Sequence, residues 1–138
     1  MSISKMKNIS ISPQKVRIIA RQVKGLNIQK ALDFLTFSKK KSSFFIKKLL
    51  NSAISNAENN DGKDIDELII TKIMVDEAPR LKRIKARAKG KANRITKRNS
   101  HILIELKTHT ELIEIKKKNK LYEQNNKIKK EENNGSKS

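Results

Sequence analysis

Residues 80–98, Arg80 to Arg98, read RLKRIKARAKGKANRITKR and hold ten Lys or Arg and no acid in nineteen positions. Ahead of Gly90 the stretch alternates. Ile84, Ala86 and Ala88 are apolar while Lys85, Arg87 and Lys89 are charged, as a strand with two different faces requires. Gly90 can take the positive φ of a tight turn, so the pattern predicts a hairpin. Flanking strands of roughly eight to ten residues, at about 3.3 Å each, would reach roughly 30 Å beyond the rest of the protein. Such an arm cannot bury its own faces. Its small alanines and dense cations suit close approach to a phosphate backbone, where each Lys or Arg replaces condensed counterions. A Lys- and Ala-rich run would also suit a solvated helix or an unstructured basic tail. The Gly90 break, the uncompensated charge and the strand-like flanks favour the hairpin.

Working outward, Leu68 to Val75 shows aliphatic and β-branched residues with a two-residue period, and Ile102, Ile104 and Leu106 repeat that pattern on the far side. These predict two antiparallel strands whose extension is the hairpin, about residues 78–100. The acidic stretch Asp61 to Glu67 reads as a turn leading into the first of them. Upstream, Phe45, Ile46, Leu49, Leu50, Ala53, Ile54 and Ala57 form an apolar stripe over about five helical turns, with Ser38 as the expected cap and Asn59-Asn60-Asp61-Gly62 as the stop. That helix is expected to be the spine of the core. Asn27 can cap a shorter helix with the stripe Ile28, Ala31, Leu32 and Leu35. Ser12 followed by Pro13 opens another, running to about Lys24 with Gly25 as its end. There Val16, Ile19, Ala20 and Val23 make a core face, and Arg17, Arg21 and Lys24 make a basic one. Ser2 to Ser10 is expected to be a short edge strand. The expected fold is α+β: three helices on a small antiparallel sheet, with a protruding basic β-hairpin. The domain is expected to fill residues 1–107. Residues 108–138, rich in Lys, Asn and Glu, are expected to form a mobile extension, disordered or partly helical.

A net charge of +19 on 138 residues is a self-repulsion best neutralised by a polyanion, so a nucleic acid is the expected partner. An anionic membrane surface would attract the same charge, but there is no apolar run near eighteen residues and no signal-peptide core, so a soluble intracellular protein is expected. With no cysteine, thiolate zinc sites, disulfides and a thiol nucleophile are excluded. His101 and His109 stand without any catalytic or phosphate-cradling motif, and His101 reads as a residue at a strand start. No enzyme, metal or cofactor is expected. The aromatics, chiefly Phe34, Phe37, Phe44 and Phe45, are assigned to the core, which sets aside recognition by stacked bases and leaves shape and phosphate. The basic face Arg17, Arg21, Lys24 and the group Lys39, Lys40, Lys41, Lys47, Lys48 fit a solvated surface as well as a phosphate contact, and the sequence leaves that choice open. By composition, a free-standing RNA chaperone or a DNA architectural protein with a basic β arm is the competing class.

Three stretches go further. Ser12-Pro13-Gln14-Lys15-Val16-Arg17, then Ser52-Ala53-Ile54-Ser55-Asn56-Ala57-Glu58-Asn59-Asn60, then Val75-Asp76-Glu77-Ala78-Pro79 resemble the bacterial-type large-subunit ribosomal protein L-twenty-two family. The resemblance covers nearly all of residues 3–107. It is most specific from Leu81-Lys82-Arg83-Ile84 through Arg87-Ala88-Lys89-Gly90-Lys91-Ala92 to Arg94-Ile95 and Lys97-Arg98-Asn99-Ser100-His101-Ile102. It implies a hairpin that runs inside the large subunit to the wall of the peptide exit tunnel. It further implies a structural, non-enzymatic constituent that binds 23S-type ribosomal RNA across several of its domains, acts in early assembly, and touches other large-subunit proteins. The tip would lie near the nascent peptide and macrolide antibiotics. Carried over by position, the tip is Lys85, Ala86, Arg87, Ala88, Lys89, Gly90 and Lys91. The expected RNA-binding residues are Arg80, Lys82, Arg83, Lys85, Arg87, Lys89, Lys91, Arg94, Lys97 and Arg98 on the arm, with Lys15, Arg17 and Arg21 on the first helix. The implied place is a bacterial cytoplasmic ribosome, or alternatively that of a plastid or other organelle. Two positions depart from the family pattern. Lys85-Ala86 stands where an apolar residue followed by proline is common, and Lys91 replaces the usual arginine and its planar two-bond fork.

Overall fold

The computed structural model describes residues 2–115, 117–118 and 121–122. The chain divides into two compact units, residues 1–107 and 108–138. In chain order the first contains β1 (Ser2–Ile9), α1 (Pro13–Val23), α2 (Ile28–Phe37), α3 (Lys41–Asp61), a short 3-10 turn (Ile65–Glu67), and the two long strands β2 (Leu68–Ala86) and β3 (Ala92–Thr108). The sheet order is β1-β3-β2.

The helices start and stop for local reasons. Pro13 opens α1, where its missing N–H costs nothing, although the hydroxyl of Ser12 makes no capping bond. At the other end Gly25 turns the chain at φ 85 and donates its N–H to the Ile70 carbonyl at 2.8 Å. Asn27 caps α2 as expected, its side-chain oxygen accepting the Ile28 N–H at 2.7 Å. Ser38 does not cap α3. It ends α2 instead, donating its N–H to the Phe34 carbonyl, and its hydroxyl accepts from Ser43 at 2.8 Å. Helix α3 begins only at Lys41, because the Lys39-Lys40 link must turn the chain between two packed helices. It ends at Gly62, whose left-handed φ of 59 lets the Gly62 and Lys63 N–H groups return to the Glu58 and Ala57 carbonyls, both at 3.2 Å.

Packing follows the predicted stripes. Val16, Ile19 and Val23 from α1, Ile46, Leu49 and Leu50 from α3, and Ile102, Ile104 and Leu106 from the central strand β3 are all buried in one cluster. Strand β1 runs antiparallel to β3 from Ser2 opposite Leu106 to Met6 opposite Ile102, then slips before Ile9 meets Ser100. At the slip Asn8 takes a φ of 55 and donates its N–H to His101 Nδ1 at 3.0 Å, so His101 holds a bulge in place.

The simple two-residue period expected for Leu68 to Val75 does not hold throughout. Leu68 and Ile70 are buried on one phase, Val75 on the other, and Ala78 returns to the first, so the inward row of β2 changes twice before the strand leaves the body. Its position at the edge of the sheet explains why Pro79 is tolerated there. Near the start of β2, that edge is closed by the loop after α1, which bonds both polar groups of Ile70 through Gly25 and Leu26. The expectation of a mobile or partly helical extension falls for residue 116, residues 119–120 and residues 123–138 outside the described residues. Residues 109–115 are helical, begun by a reciprocal cap in which the Thr108 N–H reaches Glu111 Oε2 at 3.2 Å and the Glu111 N–H reaches Thr108 Oγ1 at 3.4 Å.

Candidate nucleic-acid interface

From Pro79 to Arg98 every residue is exposed, yet β2 and β3 continue as paired strands to Ala86 and from Ala92. This is the predicted arm, with about seven or eight residues on each side and a reach of roughly 25 Å. Even its apolar members face out, and Ile84 is 76 % exposed. The tip is a 3-10 turn over Ala88–Gly90, closed by the Arg87 N–H on the Lys91 carbonyl at 2.8 Å and the Lys91 N–H on the Ala88 carbonyl at 3.4 Å. Gly90 has the expected positive φ, 66, but Lys89 has one too, 58. A turn whose twist matches right-handed strands needs positive φ at both central positions, and a non-glycine residue bears that at a cost of about 1–2 kcal/mol.

Of the ten arm cations, Arg80 alone makes an ion pair among the described residues, with Glu77 at 2.6 Å. The Arg80 hydrogen bond, the charge of Arg80 itself, and the nearby charges of Arg98 and Arg17 hold the Glu77 carboxyl below its ordinary value. One acid therefore anchors the root of the arm, and the other nine cations are left for an outside partner. At the same root Asn99 donates from Nδ2 to the Pro79 carbonyl at 3.2 Å, tying the two strands where they leave the core.

The three helix residues expected to bind RNA do not form one group. Arg17 and Arg21 line a shallow cleft with Lys24, Ile73 and Val75 beside β2. Within it the Arg17 guanidinium donates from Nε and Nη2 to the Val75 carbonyl, at 3.3 and 3.0 Å, closing a stretch of the sheet edge. Arg17 is thus partly committed inside the protein. Lys15, about 200° away around the helix, lines a different cavity with Ser10, Ser12, Lys40 and Lys41.

Assignment of the phenylalanines to the core is corrected by the structure. Phe37 is 84 % exposed and Phe44 65 %, and Phe34 is also exposed; only Phe45 packs against the core, meeting Phe44 edge to face at 5.5 Å between ring centres. Adjacent helical residues point about 100° apart, so Phe44 and Phe45 could not share the core face, a signal present in the sequence. Phe44 lines a shallow cavity together with Lys39, Lys40, Lys41 and Lys47.

Among the described residues no cluster of His, Asp and Glu could hold a metal, and no helix is long and apolar enough to cross a membrane. Exposed cations on a paired but unburied scaffold can neutralise phosphates along a path, which is binding chemistry. Against known families, the model described as ribosomal protein L22p/L17e matches residues 4–107.

Proposed function

The chain belongs to the ribosomal protein L22p/L17e family, and is a structural protein of the large ribosomal subunit; from that premise we propose that its arm threads between segments of 23S-type ribosomal RNA and lines the nascent-peptide exit tunnel with its tip. The observation that supports this best is an ordered two-stranded arm, residues 79–98, with every residue exposed and nine cations without an ion pair among the described residues. In water such an arm gains nothing from burial. Surrounded by phosphates it releases counterions from several sides at once, and Ala86, Ala88 and Ala92 let the backbones come close. Lys85 to Lys91 form the tip and lie nearest the nascent peptide. Arg17 and Arg21 continue the basic path onto the body, and Lys15 contributes separately. Contacts to several RNA segments at once would help gather them during assembly, beside other large-subunit proteins. The motif set is of bacterial type, which fits the ribosome of a bacterial cytoplasm or, alternatively, that of a plastid or other organelle.

Sedimentation of the tagged protein from lysate at moderate and high salt tests this reading. Co-migration with large subunits after the high-salt wash is the expected result, because a threaded arm cannot leave by exchange of surface charges alone. Recovery as free protein would instead support a regulatory RNA- or DNA-binding module.

A further inference from the structure

All four phenylalanines of the chain lie between residues 34 and 45, and three of them, Phe34, Phe37 and Phe44, are exposed. Phe44 differs from the other two in having lysines one helical turn away on both sides. Helical residues three or four positions apart share a face, which puts Lys41 before the ring and Lys47 and Lys48 after it. Phe44 is also a wall common to two shallow cavities of about 320 and 290 Å³. Lys39, Lys40, Lys41 and Lys47 line the first, and Lys47, Lys48 and Asn51 line the second. The surroundings of the ring are tied down. Lys47 donates from Nζ to Thr36 Oγ1 at 2.9 Å, joining α3 to the last turn of α2. Phe45 meets Phe44 at 87° between ring planes, and a contact of that kind covers at most one face of the Phe44 ring. From Phe34 to Ala57 the sequence has five lysines and no acid, and among the described residues none of the five makes an ion pair.

We propose that Phe44 is a stacking platform for one unpaired base of RNA, with the lysines on either side of it contacting the phosphates that flank that base. The site rests on the RNA-binding reading for its ligand, and it differs from the arm in chemistry. The arm offers charge along a path, whereas an exposed ring takes a base that has left its helix, in a loop, a bulge or a strand end. Every base has a π-face, so the platform selects unpaired RNA over duplex and reads no particular sequence. A nucleotide brings a flat ring and its two phosphates together, matching a ring between cations. An acidic protein segment would satisfy the lysines but set carboxylates against the negative face of the ring.

Two measurements on the full chain test it. The chain has no tryptophan, so Phe44→Trp supplies a single fluorescent reporter while keeping an aromatic face. Titration with single-stranded oligoadenylate at fixed ionic strength should quench it saturably, whereas an abasic ribose-phosphate strand of the same length, or poly-glutamate, should not. Phe37→Trp, whose position follows Asp33 and Phe34 by one turn and lines neither cavity, should respond to none of the three. An equal response to the abasic strand would reduce the site to phosphate contacts, an equal response to poly-glutamate would assign it to an acidic protein segment, and an equal response from Phe37→Trp would show no local site; each overturns the platform. The second measurement is affinity. Phe44→Leu removes the ring and no charge, so it should bind a single-stranded ribosomal RNA fragment ~5-fold or more weakly with an unchanged salt slope, while Phe44→Trp keeps the affinity. Lys41→Gln/Lys48→Gln should flatten the slope by up to about 1.4 units. Unchanged affinity in Phe44→Leu would overturn the platform and leave the RNA-binding reading standing; failure of the unaltered chain to bind RNA would overturn both.

Discussion

Single residues at the root of the arm hold positions with measurable consequences. Ser100 is fully buried where β1 and β3 part, and its hydroxyl has no partner among the described residues. It lines no described cavity, so nothing offsets its loss of water. Ser100→Ala should raise stability by about 1 kcal/mol in denaturant unfolding; a loss of stability would mean that the hydroxyl has a partner after all. Glu77 makes a prediction in pH. Its carboxyl is held below its ordinary value, so between the folded and unfolded values the unfolded chain binds more protons, and stability rises with pH there. The contribution is complete above the ordinary value near 4.5 and is lost as pH falls through the lower, folded one. The pair is exposed, so the effect is small. Glu77→Gln should flatten the acid limb of the stability profile below about pH 4.5 and leave the rest unchanged. An acid limb identical in the variant would show that the arm root gains nothing from the charge.

At the scale of elements, α1, α2 and the apolar side of α3 are legible because helical period and burial agree. Val16, Ile28, Leu49 and Leu50 fall where their spacing puts them. What misleads is competition for one residue. Ser38 is a good cap in isolation, but α2 uses it as an end, and tertiary packing decides between two helices that a linear reading treats alike. The doubled positive φ at Lys89-Gly90 was half visible, since glycine advertises the left-handed region and lysine does not. The Thr108-x-x-Glu111 cap was legible but lay beyond the expected end of the domain. The cavity between α1 and α3 was not legible at all, because it joins residues about thirty positions apart. The arm supports a prediction that separates folding from binding. Arg87→Ala/Lys89→Ala/Lys91→Ala should flatten the salt dependence of RNA binding by up to roughly two units, since three phosphate contacts are removed. Its melting temperature should remain that of the unaltered chain, because none of the three side chains is buried. An unchanged slope would take the tip out of the interface.

For the whole molecule, charge and core are segregated. The buried cluster is drawn from β1, the three helices and the body parts of β2 and β3, all within residues 1–107, and no residue from Pro79 to Arg98 belongs to it. We therefore expect residues 1–107 alone to melt cooperatively near the temperature of the full chain, measured by circular dichroism. A broad, non-cooperative transition would show that the body needs its extension. The exposure of the arm has a consequence for how this protein can change over time. Most substitutions in a folded chain are filtered first by whether the chain still folds. In the arm that filter is nearly absent, since a new side chain there disturbs no packing. The body must satisfy its own core, whereas the arm answers only to what surrounds it, so selection can act on the two at different rates within one gene.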